Sequence, residues 1–123
     1  ECISRGSKKV TFFENNKNVA NVIKENLVRL SIIKKADIFN EDVEKFDSVL
    51  EKKKFNIFFF DPPYKDKKFI SNLSKFKKRK IFTPAHSVII HREVDSQDKL
   101  EEYLNIKLIK EYGRSKITFG TFS

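Results

Sequence analysis

The tetrapeptide Asp61-Pro62-Pro63-Tyr64 follows the most apolar run in the chain, Phe55-Asn-Ile-Phe-Phe-Phe60, and its residue types suit a flat, amine-bearing ring. An exocyclic amine on a nucleobase is a poor nucleophile, because its lone pair is delocalised into the ring. Drawing both N–H bonds toward acceptors localises that pair on nitrogen. The Asp61 carboxylate and the Pro62 carbonyl are two such acceptors, and the prolines make the segment rigid. Tyr64 offers a face for stacking, a contact worth about 1–3 kcal/mol on any planar base. If the incoming methyl is carried by a sulfonium, no strong base is needed, because the nitrogen becomes acidic as the methyl arrives. Positioning and electrostatics then do most of the work. The same four residues also fit a strand-ending turn, which Asp and Pro favour, but the buried strand expected before them weighs against that.

Two other acidic residues fall at the ends of expected strands. Val10-Thr-Phe-Phe13 is too apolar on both faces for a half-exposed edge and reads as a buried strand. Glu14, next in the chain, would accept hydrogen bonds from the two ribose hydroxyls of a nucleoside cofactor, as acidic residues do in dinucleotide folds. A solvated carboxylate opening a helix at Asn15 fits nearly as well. Asp42, after a strand at about residues 36–39, could accept an adenine amino group while favouring a helix N-terminus; capping alone would also account for it.

The elements that must position these residues are readable from apolar spacing. From Asn16, the positions Val19, Val22, Ile23, Leu27 and Leu30 predict an amphipathic helix. A second helix carries Val43, Phe46, Val49 and Leu50, and a third carries Phe69, Ile70, Leu73 and Phe76 after the tetrapeptide. Ser87-Val-Ile-Ile90 reads as a further buried strand. Asp95-Ser96 reads as the cap of a helix bearing Leu100, Tyr103 and Leu104. Ile106, Leu108, Lys110 and Tyr112 alternate, Gly113-Arg-Ser115 turns the chain, and Ile117, Phe119 and Thr121 alternate again, an antiparallel hairpin. Alternating strands and helices predict an α/β domain with a parallel sheet closed by that hairpin, and ligands in such sheets sit at the carboxyl ends of the strands.

The chain of 123 residues has room for one core and is expected to be a single domain over 1–123. Thirteen Phe, abundant Lys, Asn and Ile, and no Trp or Met match an AT-rich coding bias, which also accounts for part of the +9 net charge. That charge still favours a polyanionic partner through counterion release. The lone Cys2 precludes an internal disulfide, and no Cys/His spacing resembles a metal site. With no membrane-length apolar run and no leader pattern, the reading is a cytoplasmic protein without a membrane partner. Glu1-Cys-Ile-Ser-Arg-Gly6 reads as the end of a helix with a C′ glycine, so an upstream segment is expected.

These residues together make the chain similar to the bacterial 16S ribosomal RNA guanine-N2 methyltransferases. The matching pieces are Glu1-Cys-Ile-Ser-Arg-Gly6, Val10-Thr-Phe-Phe-Glu14, Ile23-Lys-Glu-Asn-Leu27, Phe58-Phe-Phe-Asp-Pro-Pro-Tyr64 and Tyr112-Gly113, spread over essentially the whole chain. The tetrapeptide alone is shared with DNA adenine and other RNA amino-methyltransferases; the flanking pieces narrow the match. The resemblance implies a seven-stranded, Rossmann-like class I sheet, S-adenosylmethionine as donor, and a guanine of 16S rRNA or a small-subunit precursor as acceptor, with the enzyme monomeric. It implies that Glu14 binds the cofactor ribose, Asp42 its adenine edge, and Asp61 through Tyr64 the target base. The family's first strand and glycine-rich cofactor loop would precede Glu1, and without them the chain alone is not expected to turn over. A departure is His91-Arg92, at a strand end where an acidic residue is more usual; His91 would either face the substrate or be a satisfied structural residue.

Sheet geometry sorts the basic residues. Lys65, Lys67 and Lys68 are expected on the active edge as RNA contacts, with Arg114 in the hairpin turn as a further phosphate contact. Lys52 to Lys54 and Lys77 to Lys80 belong to helix C-termini on the other edge, where they complement the helix dipole. Competing readings are a DNA or other-RNA amino-methyltransferase, and a noncatalytic nucleic-acid-binding domain.

Overall fold

The computed structural model describes residues 9–13, 17–39, 54–63, 65 and 68–123. The helix expected over 43–50 and the helix end at Gly6 lie outside them. The chain forms two compact units, Glu1–Asp47 and Ser48–Ser123.

In the first unit, β1 (Val10–Phe13) and β2 (Ala36–Phe39) are parallel, joined through α1 (Lys17–Arg29) and a 3₁₀ turn at Ile33–Lys35. A parallel pair needs such a crossover. The buried line of α1 runs through Ala20 and Leu27, whereas Val19, Val22 and Leu30 are exposed. The expected helix is present, but its inward face is turned away from the expected Val19–Val22 line. α1 ends in a Schellman arrangement: Ile32 N–H donates to Leu27 O, Ser31 N–H to Val28 O, and Ser31 takes φ 60°.

The second unit is a four-stranded sheet in the order β3 (Phe55–Phe60), β4 (Phe82–Glu93), β6 (Ser115–Phe122), β5 (Leu104–Tyr112), with α2 (Lys68–Arg79) as the crossover between β3 and β4. β3 and β4 are parallel; β6 is antiparallel to both β4 and β5. This is the α/β arrangement of parallel strands closed by a hairpin that the sequence predicts. The turn between β5 and β6 is two residues long, with Gly113 at φ 57° in its first position. Glycine there tolerates a φ that twists the hairpin correctly.

Phe69, Leu73 and Phe76 of α2 are buried, as are Phe58, Val88 and Ile90 of the sheet. Phe58 meets Phe122 edge-on at 5.2 Å between centroids and lies 5.9 Å from Phe76. On the other face of β3, Ile57 and Phe59 are 52% and 61% exposed, so the strand is buried on the α2 side only, not on both sides as its composition implies. Gly120, buried in β6, lies where an added Cβ would sit 2.5 Å from Asn105 O. Gly120→Ala is therefore expected to destabilise by about 1–3 kcal/mol, since backbone must move to admit it; a shift in the denaturation midpoint measures this.

Two segments differ from expectation. β4 begins at Phe82, not Ser87, and its register with β3 jumps from Phe55↔Phe82 to Ile57↔Ser87. Pro84 cannot donate to a ladder, and the extra residues loop out, held by Thr83 Oγ donating to Ala85 O at 2.7 Å. His86 joins this bend, with Nδ1 2.8 Å from Thr83 O and Nε2 accepting Phe122 N–H at 2.9 Å. The helix expected from Asp95 is only a 3₁₀ turn, Leu100–Glu102, and Leu104 already belongs to β5. Leu100 and Leu104 are both buried, which reproduces a helical spacing without a helix. Asp98, moreover, is committed to Arg92.

Candidate active site

Strand register decides what surrounds the tetrapeptide. Phe60 pairs with Ile90 in the parallel ladder, so Asp61 and His91 come next at the same end of adjacent strands. His91 Nδ1 lies 2.8 Å from Asp61 Oδ1, and His91 Nε2 lies 2.9 Å from Ser115 Oγ. A carboxylate only accepts, so Nδ1 carries the proton in this pair; in the neutral ring, Nε2 then accepts from the Ser115 hydroxyl. Asp61 is 58% accessible and His91 35%, leaving the carboxylate open to solvent.

Successive strand residues point to opposite faces, so Arg92 grips the same loop from the side of α2. Its Nε donates to Asp98 Oδ2 at 2.9 Å, and Nη1 reaches Pro63 O at 3.0 Å and Pro62 O at 3.4 Å. The guanidinium carbon sits 4.7 Å from the Phe69 ring centroid, in cation–π range. Both charges of the pair are nearly inaccessible, at 2% and 3%. The planar fork of arginine serves this several-partner geometry, which a lysine ammonium does not. The Pro62 carbonyl, expected to face an amine, thus already has one long contact, but a carbonyl oxygen has a second lone pair.

Spacing and composition alone do not reveal Arg92, Asp98 and Ser115 as supports of the tetrapeptide. The usable signal is the polar pair His91-Arg92 at the end of an apolar strand, since period-two alternation sends one to each face. Glu14, Asp42, Tyr64 and Lys67 lie outside the described residues. β1 and β2 pair in parallel through Phe13↔Phe39, so the strand ends that precede Glu14 and residue 40 are side by side.

Lys65 and Lys68 are exposed beside the tetrapeptide, at the N-terminal end of α2. Arg114 is exposed in the hairpin turn, next to Ser115, and its carbonyl accepts Val94 N–H at 2.8 Å. Arg114 thus shares the edge of Asp61. Lys77, Lys78 and Lys80 line a groove of about 340 Å³ at the opposite end of α2, where Lys77 Nζ donates to Glu102 O and Lys54 Nζ to Lys80 O. At 1.5 Å per residue, Lys68 and Lys78 are roughly 15 Å apart along the helix. The two basic groups are separate, as sheet geometry predicts. Among the described residues, no helix is long and apolar enough to cross a membrane, and no group of three or more His, Cys, Asp or Glu is placed to hold a metal ion.

Solved structures share this fold. A candidate methylase from Haemophilus influenzae superposes with a TM-score of 0.79 at 25% identity, over 98% of this chain and 77% of that one. A candidate methyltransferase from Escherichia coli gives 0.80 at 18% identity, over 100% and 67%. An rRNA methylase from Streptococcus thermophilus gives 0.73 at 13% identity, over 94% and 74%. No curated protein matches the chain in sequence. The chain belongs to the family described as Conserved hypothetical protein 95, whose model matches residues 1–121.

Proposed function

We propose that this protein transfers the methyl group of S-adenosylmethionine to the exocyclic N2 amine of a guanine in 16S ribosomal RNA, free or in a small-subunit precursor, as a cytoplasmic monomer. The observation that carries this reading is the Asp61-Pro62-Pro63 loop: an open carboxylate at a strand end, held through His91 on one face and with its carbonyls tied to Arg92 on the other. A preorganised acceptor is what an amine of low nucleophilicity requires. The likeness to an rRNA methylase supports RNA as the acceptor class.

Asp61 takes one amine hydrogen and the Pro62 carbonyl the other, while Tyr64 stacks on the base. Glu14 and Asp42 hold the cofactor's ribose and adenine. The cofactor, when bound, supplies an electrophilic sulfonium methyl. As the nitrogen becomes cationic, its hydrogens bind Asp61 more strongly than in the ground state, so the contact favours the transition state. The proton then passes to solvent, to which Asp61 is open.

The test is methyl incorporation from labelled cofactor into small subunits, naked 16S rRNA and DNA, followed by nucleoside analysis of the product. N2-methylguanosine in rRNA is the expected outcome; N6-methyladenine in DNA, or no incorporation by the native protein, refutes the proposal. Charge placement gives a second check. Neutralising Lys65, Lys67 and Lys68 is expected to weaken RNA binding and to lower the slope of log K against log salt by about two to three, at 0.7–0.9 per phosphate contact. Neutralising Lys77, Lys78 and Lys80 is expected to change it by less than one. Equal slopes from salt titrations of the two variants would contradict the assignment of the active edge.

A further inference from the structure

Asp61 is held by His91 and His91 by Ser115, in a line of three side chains from three separate strand ends: Asp61 follows β3, His91 lies near the end of β4 and Ser115 opens β6. We propose that His91, seated by Ser115, is a positioning residue for Asp61: it fixes the carboxylate rotamer, occupies Oδ1, and leaves Oδ2 for the acceptor amine. This inference rests on the reading of Asp61 as an amine acceptor and adds to it the group that orients that acceptor.

A carboxylate on the exposed end of a strand has free χ1 and χ2 rotation, and more than half of the Asp61 side chain is accessible. Only a fixed neighbour selects one orientation. His91 qualifies because both of its ring nitrogens are engaged, at 2.8 and 2.9 Å, and its strand is locked on both sides, β3 pairing β4 through Phe60↔Ile90 and β6 through His91↔Ile117. Ser115 is itself fixed, pairing with Glu93 across the ladder and following the two-residue turn. The second ring nitrogen thus sets the ring plane, and the plane aims Nδ1 at Asp61.

Four single variants of the native protein test this: Asp61→Ala, His91→Ala, His91→Asn and Ser115→Ala. Each is assayed for kcat and KM with RNA, and for S-adenosylhomocysteine affinity by calorimetry. His91→Ala is expected to lower kcat about 10- to 100-fold, the effect of one hydrogen bond to a charged group, with RNA KM and cofactor affinity nearly unchanged. His91→Asn, which keeps an N–H donor, recovers part of that loss. Ser115→Ala gives an intermediate loss. If Asp61→Ala abolishes turnover while His91→Ala matches the native enzyme in kcat and KM, the positioning role is wrong and the acceptor reading stands. If Asp61→Ala turns over normally, the acceptor reading itself is wrong. Should His91→Ala fold poorly, a native kcat in Ser115→Ala overturns the inference on its own.

Discussion

Asp61→Ala is expected to reduce kcat for methyl transfer by about 10²–10³-fold, the range found when one preorganised group facing developing charge is removed. The acceptor amine would lose its charged partner while the fold loses little, because the Asp61 side chain is exposed and makes its described contact with His91 alone among side chains. The loss should appear in kcat more than in KM, since attraction to the carboxylate grows as the nitrogen becomes cationic. Asp61→Asn keeps one acceptor oxygen without the charge and should fall between native and alanine. Steady-state kinetics with saturating cofactor, and calorimetry to show cofactor affinity retained, provide the measurement. A rate within threefold of native for Asp61→Ala would remove the basis for the proposed chemistry.

The largest stability effect is expected at Arg92. Arg92→Met takes the guanidinium away from the Asp98 carboxylate, 3% accessible, and breaking one side of such a buried pair costs about 3–5 kcal/mol. It also removes the donor to the Pro62 and Pro63 carbonyls, so any residual activity should fall even in the folded fraction. Arg92→Lys should recover little, because one ammonium cannot reproduce Nε on Asp98 and Nη1 on the proline carbonyls together. The double variant Arg92→Met with Asp98→Leu removes both charges and should regain much of the stability of the single variant. Denaturant midpoints at constant slope give the four corners of the cycle. Additive effects, or a cost under about 0.5 kcal/mol for Arg92→Met, would show that the pair does not hold the loop.

Part of this arrangement is written locally. Phe55–Phe60 is a strand because its residues are aromatic and branched, and it stops at Asp61 because Pro62 and Pro63 cannot continue a ladder. α2 is helical because Phe69, Leu73 and Phe76 recur on one side, and all three are buried as that spacing requires. The hairpin follows from alternation about Gly113. Where the reading misses, an individual competing cause is visible. The segment after Asp95 has helical apolar spacing, but Asp98 meets the Arg92 guanidinium and Lys116 donates to the Ser96 carbonyl, so long-range bonds outweigh local preference. The inward line of α1 passes through Ala20 rather than Val19 and Val22, a choice among faces that periodicity alone does not make.

Residue types and their spacing along the chain are enough to specify the strand that ends in Asp61-Pro62-Pro63, the helix that follows it and the closing hairpin, because these depend on interactions a few residues apart. Which side chains would serve that loop depends on strand order and register. Asp61 and His91 are 30 positions apart and meet at 2.8 Å only because β3 and β4 pair in parallel with Phe60 opposite Ile90. Ser115 joins them only because β6, and not β5, lies beside β4. A shift of one residue in either pairing would turn His91 and Arg92 each to the other face and exchange their partners, and no local feature of the chain forbids that shift; the burial of Val88, Ile90 and Phe58 does.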